Sequence, residues 1–385
     1  MIKDIITLGV ETSCDETSVA VVKNGTEVLS NVVASQIEIH KRFLGVVPEV
    51  ASRNHVMAIN NIYERALMDA KITKDEIDVV AVTYGAGLLG ALLVGVSFAK
   101  ALSYAHSIPL VKVNHIKGHI AANYLKSEEV QSQDKEVSQK DLQCGEKRGF
   151  AAKGVYKNVH DRAVSSDFCR NQGLFQRPQP PFICLVVSGG HTALLEVLDY
   201  TTHKLIGTTV DDACGEAFDK VARILGLEYP GGIYVDNLSK DGNNNIKFPK
   251  MLKGKDTFNF SYSGLKTAVI NHVNTLKNKN EFINKNDICK SFTVAAIDPL
   301  IEKSIRACKK FGYQSLAVAG GVSANSYLRE NIVKKGGEVG LKVFLPDLKY
   351  CTDNAAMIAA AGYYSYINGA DLADLSLNAV SSIPL

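Results

Sequence analysis

Two histidines four residues apart, in His115-Ile116-Lys117-Gly118-His119, are the side chains best placed to do chemistry in this sequence. At that spacing on a helix both imidazoles leave one face, at a separation suited to a single divalent metal ion. Paired histidines also serve as hydrogen-bonding surface residues, and the spacing alone leaves both readings open. A metal needs a third ligand. Tyr350-Cys351-Thr352-Asp353-Asn354 offers the Asp353 carboxylate at a loop-to-helix junction, where the plain alternative is a helix cap. Zinc peptidases use the same histidine spacing, but with a glutamate beside the first histidine as general base. Here that place is Ile116, which argues against peptide hydrolysis.

Two turns have the composition of anion sites. Val186-Val187-Ser188-Gly189-Gly190-His191-Thr192 joins two apolar runs through small residues, so main-chain N–H groups can approach a phosphate with no side chain intervening. Thr12-Ser13-Cys14-Asp15-Glu16-Thr17 fills the equivalent turn near the start of the chain. Each could be a simple hairpin; two in matching places, facing one cleft, favour phosphate binding. Ala319-Gly320-Gly321-Val322-Ser323-Ala324-Asn325 puts glycines between a buried strand and a helix start, where backbone can pass close to a nucleoside. Carboxylates gather in the run from Asp211 to Lys220, ahead of Pro230-Gly231-Gly232, and capping or salt bridging is their ordinary role. No P-loop and no strand–Gly-x-Gly-x-x-Gly–helix pattern occurs, so any phosphate site is of another kind.

The elements that must hold these residues follow from periodicity. Alternating apolar residues predict strands over 5–11, 17–22 and 27–33, with Asn24-Gly25 as a hairpin turn. The same order recurs after Pro180-Pro181, with strands over 182–187, 191–198 and 204–209. Each meander is followed by helices and buried strands: helices over 54–70 and 88–105 and strands over 78–82 and 110–113 in the first half. In the second half, strands over 315–319 and 342–345 alternate with helices starting at Asn325 and Asp353. The pattern is an α/β architecture, duplicated, with a cleft between halves. The expected division is an N-terminal lobe over 1–125, completed by the C-terminal helix, a polar insert over 126–181, and a C-terminal lobe over 182–385. The insert is rich in positives from Lys147 to Arg177, suited to a solvated loop or to RNA or partner contact.

Bulk properties exclude several classes. A chain of 385 residues exceeds one ordinary core and predicts two lobes. Eight cysteines without a C-x-x-C pair argue against a zinc ribbon or disulfide scaffold and read as cytoplasmic thiols. The start of the chain has no secretory signal pattern, and the longest apolar run, Leu88 to Val96, is broken by Gly90 and Gly95, so no membrane span is expected. A net charge of +3 neither requires nor excludes nucleic acid.

Taken together, the motifs closely resemble the TsaD family. The run Gly9 to Thr17, His115 to His119, Ser188 to Thr192, Gly215-Glu216-Ala217-Phe218-Asp219-Lys220, Tyr229 to Gly232, Phe260 to Lys266, Gly320 to Asn325 and Cys351 to Ala356 all stand in family order and cover nearly the whole chain outside the insert. The resemblance implies the actin/Hsp70/sugar-kinase (ASKHA) fold. It implies a transferase that passes the threonylcarbamoyl group of threonylcarbamoyl-AMP to N6 of the adenosine 3′ of the anticodon in ANN-decoding tRNAs, releasing AMP.

By the same resemblance His115, His119 and Asp353 would hold one metal, Fe2+ or Zn2+. Val186, Val187, Ser188, Gly189, Gly190, Asp219, Gly232, Asp236 and Asn325 would hold the adenylate, in a site that could also take ATP or ADP analogues. Glu11 and Asp15 are candidates for orienting the incoming amine. Implied partners are tRNA, a TsaB paralogue and the ATPase TsaE. The chain departs from the family at Val186, where archaeal members have a tyrosine that reaches the metal, and in its longer insert. The competing readings are an ATPase or sugar kinase of the same architecture, a metallopeptidase, and a nucleotide-binding scaffold. Two imidazoles favour a softer metal than the magnesium of the kinases.

Overall fold

The computed structural model describes residues 3–126, 177–250 and 257–383. The expected insert, with its positives from Lys147 to Arg170, falls outside the described residues.

The first half opens with an antiparallel meander of β1 (Ile6–Glu11), β2 (Glu16–Lys23) and β3 (Glu27–Ser35). Asn24 and Gly25 take φ of 52° and 67°, the left-handed pair a tight hairpin demands. A short helix, α1 (Ile37–His40), leads into α2 (Pro48–Ala70). The strands β4 (Val79–Gly85) and β5 (Leu110–Asn114) then lie parallel to β1 in turn, with α3 (Leu89–His106) between them and α4 (His115–Ala121) after. The second half repeats the plan with β6 (Phe182–Val187), β7 (Thr192–Val197) and β8 (His203–Thr208). There follow α5 (Cys214–Ile224), α6 (Gly231–Lys240), α7 (Ser263–Asn278), α8 (Lys285–Phe311), β9 (Ser315–Ala319), α9 (Ser326–Glu338) and β10 (Lys342–Phe344). The chain closes with α10 (Ala355–Ile367) and β11 (Leu372–Ala373).

The sheet orders are β11-β5-β4-β1-β2-β3 and β10-β9-β6-β7-β8. Apart from β11, each reads as fifth, fourth, first, second and third strand of its half. That identity of order is the duplicated ASKHA plan, reached from two stretches of unlike sequence. The last elements return to the first sheet: α10 packs on β1, β2 and β4, and β11 pairs antiparallel with β5. One core cluster joins the two sheets through α4 and α10, with Val111, Ile116, Ile120, Phe182, Val186, Ala317 and Ala355 to Ala361 in mutual contact. The two ligand-bearing helix starts are therefore buried between the sheets rather than on a free surface. Gly9 makes this approach possible, since a Cβ there would overlap the Ala355 carbonyl.

One expectation is corrected: the helix read from Asn54 starts at Pro48, whose fixed φ and missing N–H suit a first helical position. The helix α3 runs unbroken through its glycines, over nearly the range read for it. By length and composition it is the one described helix that could cross a membrane. In the fold, Ala91, Leu92, Val96 and Ala99 are buried and the helix packs on β4 and α2.

Candidate active site

The metal-type cluster begins at the end of β5. Asn114 caps α4, its side chain accepting from Ile116 N at 2.8 Å, so the helix starts at His115 and carries His119 one turn further. Both histidines are buried and meet edge to face, with ring centroids 4.6 Å apart. Asp353 Oδ1 lies 3.5 Å from His115 Nε2 and 3.3 Å from His119 Nε2. Asp353 is not the helix cap: Asn354 does that work, accepting from Met357 N at 3.1 Å. The Asp353 carboxylate is thereby left to face the imidazoles.

These residues fit a metal ion. One ligand atom from each of His115, His119 and Asp353 falls within 4.8 Å of the others. Neither ring nitrogen of His119, fully buried, has a hydrogen-bond partner; the 3.3 Å approach to Asp353 lacks hydrogen-bond geometry. Two nitrogens and one carboxylate oxygen suit zinc or iron, with positions left for substrate or water.

Around the cluster, Glu11 holds His115. Glu11 is fully buried; its Oε2 lies 3.2 Å from His115 Nδ1 and accepts from Thr83 Oγ1 at 2.6 Å, while Oε1 accepts from Ser13 N at 2.5 Å. Ser13 Oγ also reaches His115 Nδ1, at 3.1 Å. With Nδ1 occupied on that side, Nε2 is aimed at Asp353, the orientation a ligating imidazole needs. Burial pulls His115 down, but the carboxylates of Asp353 and Glu11 outweigh it and raise the imidazole to about 9. Burial and the His115 charge depress His119. The amine-orienting role expected of Glu11 does not suit this geometry, because both its oxygens are engaged and none of it is exposed.

Asp15 stands at the rim of the same turn, 6% exposed, its carbonyl accepting from Gln36 N at 3.0 Å. Burial and the adjoining Asp15 carboxylate push Glu16 well above the carboxylate range, making these two an acid pair. His55 fixes the turn from behind, with Thr17 Oγ1 at 2.8 Å from Nδ1 and the Cys14 carbonyl at 3.0 Å from Nε2.

The opposite wall is nearly bare. Gly189 and Gly190 are exposed, and a Cβ on either would meet nothing within 4 Å. Ser188 closes the turn, its Oγ accepting from His191 N at 3.1 Å. Val186 and Val187 are fully buried strand residues paired with Ala193 and Thr192, so their side chains position the turn from within the sheet. Further along, Asp219 Oδ1 accepts from Gly231 N at 2.8 Å and Gly232 N at 3.3 Å, and Asp236 accepts from Asn325 Nδ2 at 2.9 Å and Ser326 Oγ at 2.8 Å. The structure thus joins the expected nucleoside residues in two pairs, one at the start of α6 and one between α6 and α9. Burial raises both Asp219 and Asp236.

Sequence reasoning did not single out Ser13, Glu16, His191 or Tyr229. His191 lies in the field of His115, His119 and Asp353, and burial, followed by the neighbouring histidines, lowers it to about 4. It is therefore neutral at physiological pH. Burial, followed by the carboxylates of Asp15 and Asp219, pushes the Tyr229 hydroxyl up. Only the adjacency of His191 and Tyr229 to glycine turns signalled them.

Comparison with known proteins shows the family. The sequence model of the TsaD family, tRNA N6-adenosine threonylcarbamoyltransferase, matches residues 27–133 and 167–360. A tRNA N6-adenosine threonylcarbamoyltransferase of Clostridium perfringens is 47% identical over 381 residues, covering 99% of this chain and 98% of the relative. One from Clostridioides difficile is 46% identical over 383 residues, covering 99% of each. Among solved structures, full-length HypF in its phosphate- and nucleotide-bound form aligns with a TM-score of 0.55 at 14% identity, over 94% of this chain and 46% of that one, a likeness of fold.

Proposed function

The chain belongs to the tRNA N6-adenosine threonylcarbamoyltransferase family, and from that premise we propose how its own residues carry the transfer. It is a transferase that modifies N6 of an adenosine in tRNA. The donor in this reading is threonylcarbamoyl-AMP, and the acceptor is the adenosine 3′ of the anticodon in ANN-decoding tRNAs. The observation that carries it is the convergence of His115, His119 and Asp353 within 4.8 Å beside a bare glycine turn.

Gly189 and Gly190 offer their N–H groups to the donor phosphate, and Asp219 with Gly232 and Asp236 with Asn325 hold the nucleoside. The N6 nitrogen attacks the carbamoyl carbon. The bond from that carbon to the phosphate oxygen breaks, the electron pair leaves with AMP, and the amine proton passes to Asp15. A divalent ion, zinc or iron, held by the two histidines and Asp353 would polarise the carbamoyl carbonyl and offset charge on the leaving phosphate. Glu11 acts through His115 as a positioning residue. Exposed apolar side chains on adjoining helices, Val56 and Met57 of α2 and Leu89 and Leu93 of α3, supply a face for a TsaB-type partner, with TsaE as the associated ATPase.

The test is mass spectrometry of nucleosides from ANN-decoding tRNA incubated with the protein, its family partners and fresh threonylcarbamoyl-AMP. Threonylcarbamoyladenosine should form with the native chain and vanish with His115→Ala. ATP hydrolysis without modified nucleoside would instead favour the kinase-like reading. Unchanged turnover in Asp15→Asn would remove Asp15 from the proton path.

A further inference from the structure

Residues 36–47 form a strap rooted in the active site. Gln36 N donates to the Asp15 carbonyl at 3.0 Å, so the strap leaves directly from the acidic turn. It runs through α1 and a single tight turn over Lys41–Phe43 before Leu44, left-handed at φ 55°, redirects it toward α2. The inner side is fixed. His40 is fully buried and its Nδ1 accepts from Val47 N at 3.3 Å; Gln36 is 5% exposed and donates to the Ala51 carbonyl at 3.3 Å.

The tip crosses to the other half of the molecule. Arg223 Nη2, one turn beyond Asp219 on α5, donates to the Leu44 carbonyl at 2.7 Å. The strap therefore spans the mouth of the cleft from the Asp15 side to the Asp219 side. Its outer side carries Lys41, Arg42 and Phe43, of which Arg42 is exposed and Phe43 is 55% exposed. A single exposed phenylalanine is ordinary on a protein surface. This one stands at the entrance of a site that must admit a nucleobase, with the exposed Arg42 beside it in sequence, while Lys41 is paired with Glu38 at 2.7 Å. An aromatic face flanked by positive charge fits an unstacked base and its phosphates, the form in which an RNA loop presents itself.

We propose that Phe43 is a stacking platform for an anticodon-loop base adjacent to the target adenosine, and that Arg42 contacts the neighbouring phosphate. The assignment rests on the transferase reading above and adds to it the surface that receives the RNA. Phe43 acts in positioning the acceptor, so its loss should not touch donor binding. The side chain is 55% exposed, so more than half of it is free to meet a ligand.

The experiment uses the full chain with its partners and compares Phe43→Ala, Phe43→Trp and Arg42→Glu. Direct binding of ANN-decoding tRNA is read by fluorescence anisotropy, alongside KM for tRNA and for threonylcarbamoyl-AMP and partner association by size-exclusion chromatography. Phe43→Ala should weaken tRNA binding and raise its KM by about tenfold, with donor KM and partner association unchanged. Phe43→Trp should restore both, and Arg42→Glu should weaken binding and reduce its salt dependence. Native tRNA affinity in Phe43→Ala, or a defect confined to partner association, overturns the proposal. Native-chain binding of tRNA without product would count against the transferase reading and leave the anisotropy result to judge the strap.

Discussion

The two halves place a turn at the same point of the same topology, after their first strand, and the two turns have opposite chemistry. The first is closed and acidic, with Glu11 at the last place of β1 and Asp15 and Glu16 following. The second is open and uncharged, with Val187 at the last place of β6 and Gly189 and Gly190 following. Register makes Glu11 and Val187 counterparts: Glu11 pairs with Ser18 on β2, and Val187 with Thr192 on β7. Duplication supplied two identical scaffolds facing one cleft, and divergence made one fit to receive an anion and the other fit to repel one. In the proposed reaction the phosphate takes the second turn, and the amine that must lose a proton takes the first.

Erasing that contrast gives the largest expected effect. Gly189→Asp puts a carboxylate where the phosphate should lie, in space that is open, so the fold should be unaffected. Like-charge opposition at that distance should weaken AMP or threonylcarbamoyl-AMP binding by more than about 100-fold, measured by calorimetry. Native affinity would show that the glycine turn is not the phosphate site. The next effect concerns the scaffold beneath the acidic turn. Gly9→Ala drives a methyl into the Ala355 carbonyl at the start of α10, where backbone rather than a flexible side chain must yield. A loss of about 3 kcal/mol of stability is expected, read as a lower unfolding midpoint, with metal affinity falling too because Asp353 precedes that helix. Leu185 is the counterpart of Gly9 in β6, so the second half does not share this constraint.

Much of this was legible before the fold was known, and for a physical reason. Period-two strands and the Asn24-Gly25 turn are local signals, so both meanders and their repetition could be read from residues alone. The histidine pair was legible because both members lie on one turn of one helix. Asp353 was ambiguous between ligand and cap, and the position of Asn354 removes the cap reading. The surroundings of Glu11 were not legible, because the sequence shows a carboxylate beside a turn but not that Thr83, Ser13 and His115 enclose it. The helix α8 was not legible, because it interleaves Lys, Asp and Glu with its buried residues and contains Pro299, features that blur an amphipathic period. Tertiary closure was least legible: nothing local says that α10, last in the second half, packs on the first sheet.

Glu11→Gln sharpens the comparison at its centre by making the acidic turn as neutral as its counterpart. The amide keeps the shape, but turns one of the two acceptor oxygens into a donor and loses the charge that faces His115 Nδ1. An outer-layer change of this kind should cost about 10- to 100-fold in metal affinity, measured by competition with a chromophoric chelator. Unchanged affinity would return Glu11 to consideration as a group acting on the amine.

The last prediction follows from the same charge. In the metal-free fold His115 titrates at about 9, above its ordinary value, because Asp353 and Glu11 outweigh the burial that opposes them. A raised value means that the protonated imidazole stabilises the metal-free fold fully below the unfolded value, and that this contribution is lost as pH rises through about 9. A metal ion needs the neutral ring, so below that point each ion bound must displace a proton. Apparent metal affinity should therefore rise by about tenfold per pH unit across the neutral range and level off near the His115 value. Calorimetry in buffers of different ionisation enthalpy should count about one proton released near neutrality and none on the plateau. In Glu11→Gln the plateau should begin at lower pH, since one of the two carboxylates holding the proton on His115 is gone. A plateau that stays in place would mean that Asp353 alone sets the charge of the pair and that the acidic turn contributes only its hydrogen bonds.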